Sequence, residues 1–246
     1  MVRFDIKRRH RKLIIIFVAY VVLHCLTGCA TTSNSDILDP FESMNRTVYS
    51  FNNKLDQHIL RPVAQTYDSS VPQTLKKCVS NVFANLNDVL TTVNQLFQGQ
   101  PIDASSDVSR FILNSTFGFF GCFDPASELG LQKHDKNFGQ TFAKWGVPEG
   151  PYIVLPLLGP NTLRDSIGLI PDYFVDPVNR IQPVTDSILA NATRTVSTRA
   201  SYLSISDLIE SASLDPYLFS RDAFLSIKRR RADEASMSDH SQQFGK

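Results

Sequence analysis

The stretch FGQTFAKWGVPEGPYIVLPLLGPNTLRDSIG, Phe138 to Gly168, decides how this chain folds. It holds the only tryptophan, Trp145, and prolines at positions 148, 151, 156 and 160. Proline lacks an N–H and fixes φ, so Val147 to Pro160 is not an uninterrupted helix. Yet Tyr152-Ile153-Val154-Leu155 and Leu157-Leu158 are as apolar as any core segment. The pattern predicts a Pro/Gly-rich hairpin loop set among helices. An irregular apolar segment of this length is usually functional; a buried hairpin covering the core is the plain packing alternative.

On the C-terminal side, Asn161 is placed to cap a helix carrying Leu163, Arg164, Asp165, Ile167 and Leu169, with a turn over Asp172 to Pro177. Thr185 to Tyr202 and Ser206 to Ser213 read as helices, and Asp215-Pro216 starts the last one. Lys228-Arg229-Arg230-Arg231 reads as its solvated basic end, and 233–246 as a polar, disordered tail.

On the N-terminal side, Asn137 to Trp145 is a short helix, and Asp124-Pro125 is an N-cap followed by proline at N1. Phe117-Gly118-Phe119-Phe120-Gly121-Cys122-Phe123 puts four phenylalanines in seven residues. That is too apolar for a solvated loop, so it packs in the core or meets lipid tails. A helix is expected over Asp103 to Asn114. Another opens at Pro72 and closes at Gly99, with a broad Leu/Val/Phe face opposite Asn81, Asn85, Asn87, Asn94 and Gln95. Asp39-Pro40-Phe41-Glu42 reads as a helix start with Asp39 as N-cap. Phe41, Met44, Val48, Phe51, Leu55 and Ile59 follow at helical spacing, and Arg61-Pro62 ends the run. The class is mainly α, a single domain, with no internal repeat.

Charge is asymmetric. Residues 1–28 hold six Lys/Arg and one Asp, so the remainder has nineteen basic against twenty-three acidic side chains. A mildly acidic body argues against nucleic acid as partner. Lys7 to Lys12 is a basic n-region and Leu13 to Leu26 an apolar run of 14 residues, shorter than a membrane span needs. Leu26-Thr27-Gly28-Cys29 resembles a bacterial lipobox. It implies a signal peptide over 1–28, lipidation of Cys29 and a tether over 29–38. Cys78 and Cys122, in a compartment that permits disulfides, are either bridged or both buried.

The blocks DPFESMNRTVYSFN (39–52), LDQHILRPVAQTY (55–67), VSNVFANL (79–86), VNQLFQGQP (93–101), RFILNSTFGFFGCFDPAS (110–127), the opening stretch, and DPYLFSRDAF (215–224) together resemble the MlaA/VacJ family of outer-membrane lipoproteins. The resemblance implies a helical domain over 39–232 whose amphipathic helices form a ring in the periplasmic-side leaflet of the outer membrane. It implies association with a trimeric porin, and a path for outer-leaflet phospholipid to a soluble periplasmic lipid carrier. By the family pattern, Gly146-Val147-Pro148-Glu149-Gly150 is a candidate gate loop. Arg164 and Asp165 are candidates for the channel lining, with Arg61 and Asn45 behind them.

The pattern is physically consistent with such a path, because a charged headgroup cannot cross hydrocarbon cheaply and needs a wetted polar lining. A porin-associated scaffold without transport is the rival reading. Enzyme signatures are missing: there is no nucleophile elbow, HExxH or phosphate loop, and His58, His134 and His240 are scattered. No cofactor, catalytic residue or metal spacing is indicated.

Overall fold

The computed structural model describes residues 39–206 and 213–244, with side chains described to 232. The signal peptide expected over 1–28, Cys29 and the tether expected over 29–38 lie outside the described residues, as does most of the helix expected over Ser206 to Ser213. Helices α1 (Glu42–Leu55) and α2 (Arg61–Ser70) are joined by a π-helical turn, Asp56–Leu60. They are followed by α3 (Gln73–Phe97), α4 (Pro101–Thr116), α5 (Pro125–Glu128) and α6 (Phe138–Lys144). An antiparallel pair, β1 (Tyr152–Leu155) and β2 (Gly159–Thr162), precedes α7 (Leu163–Val175), α8 (Val184–Ser201) and α9 (Pro216–Phe244).

Several boundaries differ from the sequence reading. Arg61-Pro62 does not end the first helix. The N–H of Arg61 bonds to Asp56 O, and this widened turn accommodates a proline ring that would clash in regular α geometry. Asp39 is not the N-cap; Phe41 holds that position without a side-chain bond. Instead the buried Asp39 carboxylate accepts from Asn45 Nδ2 (2.8 Å) and from the Tyr217 hydroxyl of α9, so tertiary partners outcompete a local cap. Thr162, not Asn161, caps α7, its hydroxyl accepting from Asp165 N at 3.3 Å. That helix runs through Pro171 to Val175 where a turn was expected. Lys228 to Arg231 is not a helix end, because α9 continues through Phe244, past the boundary at 233 given to the tail. Asp124 and Asn137 do cap as their sequences direct.

The packing order closes on itself. Helix α2 lies along α8, and Arg199 of α8 grips Asp56 of the π turn through both carboxylate oxygens at 2.7 and 2.9 Å. Helix α8 packs on α3, which packs on α4, α6 and α7; α7 meets β2, and β1 returns to α1. This is the ring the family resemblance implies. Cys78 of α3 is disulfide-bonded to Cys122, tying the phenylalanine turn to the helix.

A two-stranded sheet leaves an unpaired strand edge, and α1 covers it with side-chain amides. Asn45 donates to Tyr152 O (3.1 Å) and accepts from Val154 N (2.8 Å). Two helical turns on, Asn52 donates to Leu155 O and accepts from Leu157 N, both at 2.9 Å. Each primary amide thus stands in for the peptide group of a third strand. Asn45→Ala should cost roughly 2–4 kcal/mol, since it leaves Tyr152 O and Val154 N without their amide partner and takes one hydrogen bond from the buried Asp39 carboxylate. Denaturant unfolding in detergent, with exposed Ser50→Ala as control, checks this.

Candidate functional site

Burial in this protein is inverted. Among the described residues, fourteen buried side chains are polar or charged and nine are apolar. All five buried residues of α3 are polar: Asn85, Asp88, Thr91, Asn94 and Gln95. The large apolar side chains face outward, from Ile102 (82% exposed) and Phe117 (80%) to Leu158 and Ile188. Among the described residues, one buried apolar cluster forms where β1 meets α1 and α9: Tyr152, Val154 and Tyr217 with Val48, Tyr49, Leu218, Phe224 and Leu225. No described helix is long and apolar enough to cross a membrane.

The phenylalanine turn belongs to this outer surface and not to the core. Phe117, Phe119, Phe120 and Phe123 are all at least 59% exposed, and Phe119 and Phe120 take left-handed φ of 52° and 57°. Gly118 is obligatory there, because a Cβ would fall 2.4 Å from both Asn114 O and Phe123 O.

The interior holds a charged network centred on Arg110, which is fully buried. Its guanidinium donates to Asp124 at 2.9 and 3.0 Å, to Ser127 Oγ at 3.1 Å and to Leu131 O at 2.6 Å, with Asp88 at 3.8 Å. Lys133 reaches Asp88 at 3.2 Å. Burial pushes the Asp88 carboxyl up to about 6, with Lys133 and Arg110 pulling the other way. Burial also opposes ionisation of Asp124, but bonds from Ser127, Asn114 and Arg110 outweigh it and hold its carboxyl at about 2. Asp172, which accepts from Phe138 N at 3.0 Å, is raised by burial to about 6. Gln95 is fully buried with neither amide end bonded to protein. A polar group in that state is costly unless water reaches it.

The candidate gate loop is exposed, and Gly146 and Gly150 adopt positive φ (85° and 73°), which a side chain would strain. Arg164 holds it: Nη1 donates to Val147 O at 3.1 Å, its backbone N–H donates to Glu149 O at 3.1 Å, and Nη2 lies 3.9 Å from Glu149 Oε1. Asp165 accepts from Arg164 Nε at 3.4 Å and from Lys228 Nζ of α9, and Lys228 is also 3.0 Å from Glu149 Oε1. Two carboxylates and two cations therefore meet where loop, α7 and α9 converge. Arg164 and Asp165 are brought together here. Asn45 is committed to the strand edge, and Arg61 lies at the start of α2.

Lys228 was missed in the sequence because it stood in a basic run. The usable signal was its phase, four residues from Phe224 and eleven from Tyr217, both of which face the apolar cluster. Asn52 was likewise passed over. Among the described residues no group of three or more His, Cys, Asp or Glu could hold a metal ion.

A closed helical ring with ionic and amide groups inside and aromatic and aliphatic groups outside is the build of a membrane-associated protein, not of a water-soluble globule. The sequence model of the MlaA lipoprotein family matches residues 37–232. The chain belongs to that family. It is 37% identical over 205 residues to the intermembrane phospholipid transport system lipoprotein MlaA of Escherichia coli K12, covering 81% of each chain. It is 31% identical over 218 residues to the protein of that name from Haemophilus influenzae, covering 85% of this chain and 86% of the other. A solved structure from work on the structural basis for maintenance of bacterial outer membrane lipid asymmetry superposes with a TM-score of 0.67. It shares 34% identity, over 76% of this chain and 96% of the other.

Proposed function

We infer that this protein is an outer-membrane lipoprotein that moves phospholipid between membranes and so maintains outer-membrane lipid asymmetry. The carrying observation is the inverted burial: ionic groups inside a ring whose exterior is Phe, Leu and Ile. Acyl chains are compatible with the outer surface, and a charged headgroup with the interior, where burying it unpaired would otherwise cost several kcal/mol.

The ring lies in the periplasmic-side leaflet, held by lipid on Cys29. It takes mislocalised phospholipid from the outer leaflet, beside a trimeric porin, and passes it to a soluble periplasmic carrier. Arg164 and Asp165 line the passage, with Arg61 further along it and Asn45 positioning the hairpin. Gly146 to Gly150 forms the gate.

Deleting the gene should expose phospholipid at the surface of intact cells, read as increased head-group release by added phospholipase. A scaffold without transport leaves that signal unchanged and overturns the reading. Cys29→Ser should abolish metabolic labelling with radioactive palmitate and fail to complement the deletion; persistent labelling would place the lipid elsewhere.

A further inference from the structure

The side chains of Glu149, Arg164, Asp165 and Lys228 form a closed quartet of two negative and two positive charges. Their solvent access is uneven. Arg164 is 13% exposed, Lys228 20% and Asp165 21%, whereas Glu149 is 44% exposed. Asp165 is fixed by packing as well as by charge, since its carboxylate lies over Gly139, where a Cβ would come within 2.6 Å of Oδ1. Glu149, by contrast, sits on the exposed loop and regains water readily if it lets go. Of the four, it is the partner most easily replaced.

Resting on the phospholipid-transport reading, we propose that the quartet is an exchange site for a phosphodiester. The lipid phosphate takes the place of the Glu149 carboxylate on Lys228 and Arg164, and so releases the 146–150 loop from α9. One singly charged oxyanion replaces another, so the cluster remains neutral and no unpaired charge is buried, the condition under which such a swap is cheap. Both cations are already oriented by Asp165, and charge-assisted bonds to a phosphate oxygen match those to a carboxylate. Lys228 bridges Glu149 on the loop and Asp165 on α7, so its reassignment uncouples α9 from the loop. Turning to the phosphate draws Arg164 Nη1 off Val147 O, while the backbone bonds from Leu163 to Pro151 O and from Arg164 to Glu149 O stay in place, so the 146–148 end of the loop swings on a root fixed at Glu149. Lys228 is accordingly a specificity-determining residue for phosphate-bearing lipid.

The test uses the full lipidated chain in dodecyl maltoside with spin labels at Val147 and Arg230, both exposed. Pulsed EPR distances are recorded alone, with dihexanoyl phosphatidylglycerol, with dihexanoylglycerol (which lacks phosphate) and with inorganic phosphate. Retained phospholipid is measured in parallel by phosphorus assay. The proposal expects phosphatidylglycerol alone to lengthen and broaden the loop-to-α9 distance. Lys228→Gln should start in that broadened state, no longer respond, and need about tenfold more lipid for half-saturation, the loss of one charge-assisted bond. Arg229→Gln, which removes the same charge outside the quartet, should respond as the parent does.

Equal movement with dihexanoylglycerol would overturn the phosphate exchange, and equal movement with inorganic phosphate would overturn its assignment to a lipid. Phospholipid retained with no distance change in any arm would sink the exchange while leaving the transport reading intact. No phospholipid retained would sink the transport reading itself.

Discussion

Arg110→Leu should be the most damaging single substitution in the charged interior, costing about 3–5 kcal/mol, because removing one partner leaves its counter-ions buried and unpaired. The leucine is smaller and apolar, so Asp88 loses one of its two cations while remaining fully enclosed, and Asp124 loses both guanidinium bonds. The penalty depends on pH. The Asp88 carboxyl is already raised to about 6 in the folded chain against an ordinary value of 3.8, so the folded state binds the proton more tightly than the unfolded. A group of that kind contributes its full stability below pH 3.8 and loses it progressively as pH rises from there through 6. Without Arg110 its value climbs further. The variant should therefore recover part of its stability at pH 5 and be weakest at pH 8. Denaturant midpoints in detergent at both values check this, and an equal loss at both would mean that Asp88 is not the group left stranded.

Gly168→Val should abolish lipid movement and destabilise the fold by roughly 3 kcal/mol, the upper range for forcing volume into a packed contact. A Cβ at position 168 would fall 2.5 Å from Gly139 N and 3.0 Å from Gly139 Cα, so it meets backbone that cannot swing aside. Helix α6 must lift from α7. The same displacement moves Gly139 from under Asp165 and pulls apart the quartet that secures the loop. Gly139→Ala, where a Cβ would press on Asp165 Oδ1 at 2.6 Å, should impair transport with a smaller loss of stability. Ile167→Ala, exposed on the outer wall, should leave the detergent-solubilised fold near its parent stability. Surface phospholipid in cells complemented with each variant, alongside melting in detergent, separates the two effects.

Helix positions were legible because spacing reports period: α3, α4, α6 and α8 fall within two residues or so of where their apolar residues and caps place them. Direction was not legible from period. The amides of α3 and the phenylalanines near α4 mark two faces, but a polar face turned inward and one turned to water have the same spacing. The inside-out arrangement entered through the family blocks, and the buried Asp88, Asp107 and Arg110 bear it out.

Departures occurred where a distant partner overrode a local rule. Asp39 gave up a cap for Asn45 and Tyr217, and Pro62 was absorbed by a π turn. Lys228 was hidden for the same reason: its partners, Glu149 and Asp165, lie more than sixty positions away. The disulfide between Cys78 and Cys122 depended on the α3–α4 geometry, which spacing alone does not contain.

The most direct measurement is the collision accessibility of single spin labels on the full lipoprotein in phospholipid vesicles, comparing dissolved oxygen with a water-soluble nickel chelate. The account predicts that labels at Phe120, Leu158 and Ile188 are relaxed by oxygen and shielded from nickel, while labels at Glu149 and Arg229 show the reverse. Nickel access at all five positions, as on a protein surrounded by water, would contradict it.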